Sequence, residues 1–234
     1  MKPVIEMELY LVRHGESYGN VPADCRGRLP EDEHDPRLTP KGERQVCLLG
    51  EHFSALALDC VMSSGLRRAM NTAQAVIERQ PRNGARVLEV HPIFTESGAQ
   101  SEHAYKTEEQ IKSIHKNAVF APGAWEYTLE AADMSHEDDA IRLERGKRTV
   151  EYLRSRFKNG EKVLVAAHGC FNTFIYFAAL GLAAEQVFDP VFYNTGVTKF
   201  IFYAEGTGPY GISVGLAYQN DHTHLLNEFP DMGF

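Results

Sequence analysis

Short apolar runs alternate with helical patterns along most of the chain. Six runs of apolar and β-branched residues have the length of strands, at residues 8–12, 60–62, 86–90, 162–167, 197–203 and 212–218. Between them, apolar residues recur every three or four positions, which is typical of helices packed on a core. This order, with right-handed crossovers, predicts an α/β fold: a three-layer α/β/α sandwich around a mostly parallel sheet of about six strands.

The ends of several predicted helices carry recognisable signals. Thr39-Pro40 is a typical cap with proline at the first helical position. Ser135, with Asp138 three residues later, resembles a capping box that opens a long helix to about Phe157. Gly181 can terminate the apolar helix that begins near residue 171.

Residues 97–135 interrupt the alternation. The segment is polar, contains the only tryptophan, Trp125, and predicts one short helix around residues 108–116. A stretch this long with little regular structure is usually functional when it lies inside a compact domain. We therefore expect a single domain over residues 1–234 with a lid insertion at about 97–135.

Composition and charge exclude several classes of protein. The 234 residues include 24 Lys and Arg against 32 Asp and Glu, for a net charge of −8, and 43% are hydrophobic. A chain this apolar is not disordered, and its acidic balance argues against nucleic-acid binding. Its start carries acidic residues where a signal peptide would be apolar, and the longest apolar run, 174–184, is too short to span a bilayer. We expect a cytoplasmic protein with no nucleic-acid or membrane partner.

Four scattered cysteines predict neither a disulfide framework nor a zinc site. Cys170 raises the alternative of a cysteine phosphatase, but that chemistry needs a C-x5-R loop and no arginine follows Cys170. His222 and His224 could share a metal ion, but no carboxylate cluster at metal spacing accompanies them, which favours a structural role.

Polar and charged side chains follow the predicted parallel strands, at the edge of the sheet where ligands bind. These residues are Arg13, His14, Ser63, Ser64, Arg67, Glu96 and His168. Arginine forks match phosphate oxygens, and their charge keeps a nearby imidazole neutral and nucleophilic. A carboxylic acid can protonate a leaving oxygen. The set predicts phosphoryl transfer through a phosphohistidine, with no metal and no cofactor.

Four ordered motifs strengthen this interpretation. They are Leu11-Val12-Arg13-His14-Gly15-Glu16-Ser17 with Asn20, Ser63-Ser64-Gly65-Leu66-Arg67-Arg68-Ala69 with Thr72-Ala73, Val165-Ala166-Ala167-His168-Gly169, and Asn194-Thr195-Gly196-Val197-Thr198. Together they resemble the histidine phosphatase superfamily, also called phosphoglycerate mutase-like. The resemblance spans nearly the whole chain and implies that family's fold.

The resemblance also implies a role for each matching residue. His14 would be the nucleophile that becomes phosphorylated. The phosphoryl oxygens would be held by Arg13, Arg67 and His168, with Asn20 as a further contact. Glu96 stands where the family places its proton donor. The usual continuation after that glutamate is missing, which leaves Glu89 and Glu102 as alternatives.

The residues after Glu96 favour hydrolysis over mutase activity. Known mutases resemble one another in a Leu-Asn-Glu-Arg-His-Tyr-Gly segment, whereas this chain reads Phe-Thr-Glu-Ser-Gly-Ala-Gln. We expect a phosphatase that hydrolyses a small phosphomonoester. A mutase and a catalytically silent phospho-ligand binding module are the alternatives, and a homodimer is left open. Four lid residues are candidate substrate contacts: Lys106, Lys112, Lys116 and Trp125.

Overall fold

The fold is built on one seven-stranded sheet. The computed structural model describes residues 2–99, 106–124, 136–183, 186, 188 and 190–230. The strands are β1 (Ile5–Arg13), β2 (Cys60–Ser63), β3 (Leu88–Val90), β4 (Ala118–Phe120), β5 (Glu161–Ala167), β6 (Val197–Tyr203) and β7 (Val214–Asp221). Their order across the sheet is β4-β3-β2-β5-β1-β6-β7.

The sheet is parallel over five of its strands. β4, β3, β2, β5 and β1 run in the same direction, whereas β6 is antiparallel to β1 and β7 is antiparallel to β6. β1 lies between β5 and β6, with Leu9 opposite Val163 on one side and Phe200 on the other. The predicted mostly parallel α/β fold is confirmed, with seven strands in place of about six.

The additional strand, β4, lies within the segment predicted as a lid. It pairs with β3 through Leu88 and Ala118, at the edge of the sheet. Only three residues long, it has too few positions to show an apolar alternation in the sequence. Part of the 97–135 segment therefore extends the central sheet.

Helices occur where the apolar periodicity predicts them. Those described are α1 (Pro40–His52), α2 (Arg67–Arg79), α3 (Glu108–Ile114), α4 (Asp139–Arg156) and α5 (Gly169–Leu180). The cap of α4 differs from the prediction: Asp138 is the N-cap residue, and its side chain accepts a hydrogen bond from Ile141 N at 2.9 Å. Ser135 lies outside the described residues. Gly181 ends α5 in the left-handed conformation (φ 70°), as predicted.

Two apolar clusters, one on each face of the sheet, produce the three layers. Along β1, Leu9 and Leu11 belong to the cluster that packs against α4 and α5. Tyr10 and Val12 alternate with them and belong to the cluster under α1, α2 and α3. Of the helices that the structure describes, none has the length and apolar character required to cross a bilayer.

Candidate active site

His14 lies directly after β1 and is almost completely buried, with 3% of its surface exposed. Its Nδ1 is 2.7 Å from the Gly15 carbonyl oxygen, which can only accept, so the ring hydrogen is on Nδ1. Nε2 therefore carries a lone pair, and it accepts a hydrogen bond from Arg68 Nε at 3.1 Å. This is the tautomer that a nucleophilic imidazole requires.

The surroundings of His14 keep the ring neutral. Burial and the positive charges of Arg68 and Arg13 hold its pKa well below the usual value, outweighing the opposing hydrogen bond to Gly15. Imidazolium is the disfavoured form because charging the ring would place a third cation beside two guanidiniums. His14 is thus available as a nucleophile at mildly acidic pH.

The guanidinium beside His14 belongs to Arg68, whereas the sequence predicted Arg67. The Arg67 side chain turns toward the loop before α1 and donates to the Asp35 carbonyl oxygen through Nε at 3.1 Å and Nη2 at 2.6 Å. Adjacent positions at a helix start point about 100° apart, so only one of the two arginines can face His14. We correct the predicted contact from Arg67 to Arg68.

Arg13 and His168 present buried donors to the same place. The rings of His14 and His168 lie 5.1 Å apart. His168 Nε2 is 2.7 Å from the Ser64 hydroxyl, while its Nδ1 has no hydrogen-bond partner among the described residues. Arg13 donates from Nη1 to the Phe192 carbonyl at 2.7 Å, and its buried Nε is likewise unpartnered within that part of the chain. Ser64 Oγ accepts from Leu66 N at 3.3 Å, so its own hydrogen is available to His168 Nε2, which leaves the ring hydrogen on Nδ1. Buried unsatisfied donors are costly, and an anion would satisfy both.

Glu96 is held at the N-terminus of α5. It follows the single turn Pro92–Phe94 after β3, and its carboxylate accepts from Phe171 N at 3.0 Å and Cys170 N at 3.4 Å. Burial raises its pKa, and this effect exceeds the lowering by the Arg68 charge and the backbone N–H groups. A carboxyl group with a raised pKa keeps its proton to higher pH, as a general acid must.

A buried arginine fixes the turn that carries Glu96. Arg145, on α4, donates to the backbone carbonyls of Ile93 (2.9 Å) and Thr95 (2.7 Å) and to Ser97 Oγ (3.2 Å). The Arg145 and Glu137 side chains form an ion pair at 2.6 Å, and each is only 2% exposed. The residues on both sides of Glu96 are therefore bound to one rigid side chain.

Asn20 and Asn194 act on the backbone around His14. Asn20 Oδ1 accepts from Ser17 N at 3.0 Å, so Asn20 closes a turn. Asn20 also lines a cavity that opens beside Arg13. Asn194 Nδ2 donates to the His14 carbonyl at 2.8 Å. The late motif around Asn194 thus supports the strand end that carries His14.

Comparisons with known proteins identify the family of this chain. The family model of the histidine phosphatase superfamily, branch 1, matches residues 9–209. The chain belongs to this superfamily. A curated 2,3-bisphosphoglycerate-dependent phosphoglycerate mutase from Bartonella henselae is 25% identical over 193 residues, which cover 78% of this chain and 86% of that protein.

Solved structures show the same histidine phosphatase fold. One is a phosphoserine phosphatase variant from Entamoeba histolytica in complex with phosphoserine, with a TM-score of 0.62 and 20% identity over 94% of this chain and 100% of that one. Another is a mycobacterial glucosyl-3-phosphoglycerate phosphatase complexed with VO3, with a TM-score of 0.59 and 24% identity over 91% and 98% of the two chains. At these identities the likeness establishes the fold.

Glu89 does not lie beside His14 and its arginines. It accepts hydrogen bonds from both Nη atoms of Arg156, with Nη2 2.7 Å from Oε1, and so serves an ion pair at the end of α4. Glu102, the other alternative to Glu96, lies outside the described residues. Of the two described candidates for the proton donor, Glu89 and Glu96, it is Glu96 that lies beside the arginines around His14.

The lid lysines lie beside Asp35 or on the surface. Lys106 Nζ pairs with Asp35 at 2.8 Å, next to Arg67. Lys112 pairs with Glu108 on the exposed face of α3, and Lys116 is exposed. Trp125 lies outside the described residues.

His222 and His224 have structural partners. His222 Nδ1 is 2.9 Å from the Asn220 carbonyl, and His224 Nε2 is 3.1 Å from Thr195 Oγ1. Burial lowers the pKa of His224 to about 4. Among the residues that the structure describes, no group of three or more His, Cys, Asp or Glu side chains has the arrangement of a metal site.

The sequence places Ser64 and Thr72 in the second motif but assigns neither a role, and it does not single out Arg145. Ser64 fixes the His168 ring, and Thr72 Oγ1 accepts from Gly15 N at 3.1 Å. Thr72 and Arg68 share one face of α2, because residues four apart do so, and the structure shows that this face is turned toward Gly15 and His14. Arg145 gave no sequence signal, since the turn that it binds lies about 50 residues earlier in the sequence.

Proposed function

We propose that this chain is a phosphatase that hydrolyses a small phosphomonoester through a phosphorylated His14. The observation that carries the proposal is the pairing of a neutral, nucleophilic imidazole with a carboxyl group of raised pKa, around which two arginines and His168 converge. The two unpartnered buried donors support the same conclusion, because a phosphoryl group supplies acceptor oxygens for both.

In the first step, His14 Nε2 attacks phosphorus. The N–P bond forms as the bond between phosphorus and the ester oxygen breaks, and Glu96 transfers its proton to that oxygen, so the alcohol leaves neutral. Arg13, Arg68 and the Nδ1–H of His168 hold the equatorial oxygens, where negative charge is spread. The Gly15 carbonyl, bonded to Nδ1–H, stabilises the positive charge that the ring acquires.

In the second step, water hydrolyses the phosphohistidine. Glu96, now a carboxylate, takes a proton from the attacking water, whose oxygen bonds to phosphorus as the N–P bond breaks. Inorganic phosphate leaves, and both His14 and protonated Glu96 are restored. The N-terminus of α5 stabilises the carboxylate between the two steps through its N–H groups.

A mutase of the same mechanism would return the phosphoryl group to a second hydroxyl of the substrate. The curated relative from Bartonella henselae bears a mutase name, so this is the second candidate. The segment after Glu96, Ser97-Gly98-Ala99-Gln100, lacks the basic residues that follow the glutamate in mutases. That difference favours hydrolysis.

Product analysis tests the choice. The chain is incubated with an aryl phosphate and, separately, with 3-phosphoglycerate, and inorganic phosphate and the 2-phospho isomer are both quantified, beside His14→Ala. We expect inorganic phosphate from the aryl ester, and none from the variant. Accumulation of the isomer without phosphate release would replace the phosphatase by a mutase, and the absence of both products would favour a silent binding module.

The remaining expectations from the sequence stay predictions. They are a cytoplasmic location, the absence of nucleic-acid and membrane partners, and a single domain with a lid.

A further inference from the structure

His14, Arg13, Arg68, His168 and Glu96 form what we call the phosphoryl cluster. A cavity of about 880 Å³ opens directly beside it. It is lined by Arg13 and by Gly169, Cys170 and Thr173 from the start of α5. Cys170 N also donates to Glu96. An ester oxygen that receives a proton from Glu96 is therefore positioned to direct the rest of the substrate into this cavity.

The wall beyond Cys170 is apolar. Phe174 and Phe192 are buried, whereas Phe188 and Val191 are 50% and 41% exposed. Phe188 is not loose on the surface: its ring packs edge-on against Phe177, with centroids 5.2 Å apart. Exposed apolar side chains that line a concave site next to catalytic groups favour a ligand with an apolar body.

The charged residues of the cavity compensate one another. Lys41 pairs with Glu16 at 3.0 Å, and Arg142 pairs with Asp139 at 2.8 Å. Among the described lining residues this leaves one charge without an opposite partner in the cavity, Arg13, which serves the phosphoryl group. A second phosphate or carboxylate on the substrate would thus meet paired cations and phenylalanine rings, and desolvating it there would be costly.

From this cavity we infer the substrate class: a phosphate monoester of an apolar alcohol or phenol, without a second anionic group. The inference rests on the proposed function, because it assigns the cavity to the leaving group of the same reaction. It also bears on the mutase alternative, since a bisphosphate would require a second anion site in this space.

Three substrates of matched leaving-group acidity test the inference: phenyl phosphate, 4-butylphenyl phosphate and 4-(3-carboxypropyl)phenyl phosphate. Burying one methylene is worth roughly a factor of four in binding, so partial burial of the butyl chain should raise kcat/KM about tenfold or more over phenyl phosphate. The terminal carboxylate should cancel that gain. Equal values for the first two esters, or a preference for the carboxylate, would overturn the inference.

Variants then assign the preference to the cavity wall. Val191→Asp places a charge in the wall and should lower the ratio of kcat/KM for the butylphenyl and phenyl esters at least about threefold. Phe188→Ser should lower it in the same direction. Val87→Asp is the matched control, because Val87 is similarly exposed (45%) and lies directly before β3. It is therefore at the amino-terminal ends of the parallel strands, whereas the cavity is at their carboxyl ends. A ratio that Val191→Asp leaves unchanged, or that Val87→Asp lowers equally, would contradict the assignment.

Binding separates this inference from the proposed function. Calorimetric titration of His14→Ala with the phenyl and butylphenyl esters measures the cavity without turnover. Tighter binding of the butylphenyl ester supports the inference even if the unmodified chain hydrolyses nothing, a result that would defeat the proposed function alone. Equal affinities would defeat the inference, whatever the activity.

Discussion

At the residue scale, the site depends on two titratable groups that their surroundings move in opposite directions. Burial disfavours the charged form of each, so it lowers the pKa of His14 and raises that of Glu96. The nearby arginines reinforce the first effect and only partly offset the second. A neutral base and a protonated acid can therefore coexist between the two pKa values without an external switch.

The first prediction concerns pH. kcat/KM should hold as pH falls below the usual histidine pKa, because the lowered pKa keeps His14 neutral there. It should fall as pH rises through the raised pKa of Glu96, because the proton for the leaving oxygen is then lost. Glu96→Gln should lower kcat/KM for an alkyl phosphate by about 10²–10⁴-fold. For 4-nitrophenyl phosphate, whose leaving group needs no proton, the loss should be much smaller.

Initial rates between pH 4 and pH 9 with both esters provide the measurement. An equal loss for the two esters in Glu96→Gln would show that the carboxyl does not act as the general acid.

The second prediction contrasts the adjacent arginines of α2. Arg68→Met should lower kcat/KM by about 10²–10³-fold, because it removes a charge and a donor from the phosphoryl site. Arg67→Met should cost less than about tenfold, since Arg67 contacts the loop at Asp35 and not His14. Steady-state kinetics on the two purified variants make the comparison, and the reverse order of losses would restore Arg67 as the phosphoryl contact.

These two arginines show how far a sequence specifies a site. The motif after β2 places an arginine at the start of α2, and the end of β1 places His14 beside it. Which of two consecutive side chains faces His14 depends on where the helix begins, and the N-cap at Leu66 offers no side-chain hydrogen bond to mark that start. The residue types that meet at the site could be predicted, but the choice between Arg67 and Arg68 required the structure.

At the scale of elements, α4 stabilises the turn after β3, which lies about 50 residues earlier in the sequence. Arg145 lies over the Phe171 ring, with its guanidinium carbon 3.5 Å from the ring centroid, and binds the turn around Glu96 on its other side. One side chain thus joins α4, α5 and the turn after β3. No local pattern predicts such a residue, because its contacts with Phe171 and with the turn around Glu96 are long-range.

The third prediction tests this junction. Arg145→Met leaves the Glu137 carboxylate buried without its partner and should lower the free energy of unfolding by about 3–5 kcal/mol. Arg148→Met is the control on the same helix, because Arg148 forms only an exposed pair with Glu144, and it should change stability by less than about 1 kcal/mol. Urea unfolding of both variants decides. Equal stabilities would mean that the buried pair does not hold the turn.

Elements with long or capped patterns could be predicted, and marginal ones could not. The runs that became β1 and β5 are apolar over many positions, and Thr39 caps α1 with a hydrogen bond to Gly42 N at 3.0 Å. β4 has only three residues and pairs with one neighbour, so its strand conformation depends on hydrogen bonding to β3 and not on its own sequence pattern.

At the scale of the whole molecule, the strand order assembles the site. β1, β2 and β5 are neighbours in the sheet, so the residues that follow them meet at one edge although they lie far apart in sequence. The turn after β3 supplies Glu96 at the same edge. The parallel fold, predicted from the alternation of strands and helices, is thus what allows distant motifs to form one candidate site.

The fourth prediction concerns metal ions. In the proposed mechanism the positive charges that hold the phosphoryl oxygens come from Arg13 and Arg68, so no metal ion is required. Excess EDTA should therefore change kcat/KM for an aryl phosphate by less than about twofold. Activity is measured before and after dialysis against the chelator. A loss that added zinc or magnesium restores would require a metal in the reaction and would return attention to His222 and His224.

The central claim is that His14 carries the phosphoryl group between the two steps. The most direct test is rapid acid-free quenching of the chain with ³²P-labelled aryl phosphate, followed by digestion and mass spectrometry of the peptide that contains His14. The account predicts a phosphohistidine at His14 that is labile in acid and stable in alkali, forms in a burst and disappears as inorganic phosphate is released. Phosphate release with no covalent phosphoryl group on the chain, or with unchanged rates in His14→Ala, would contradict it.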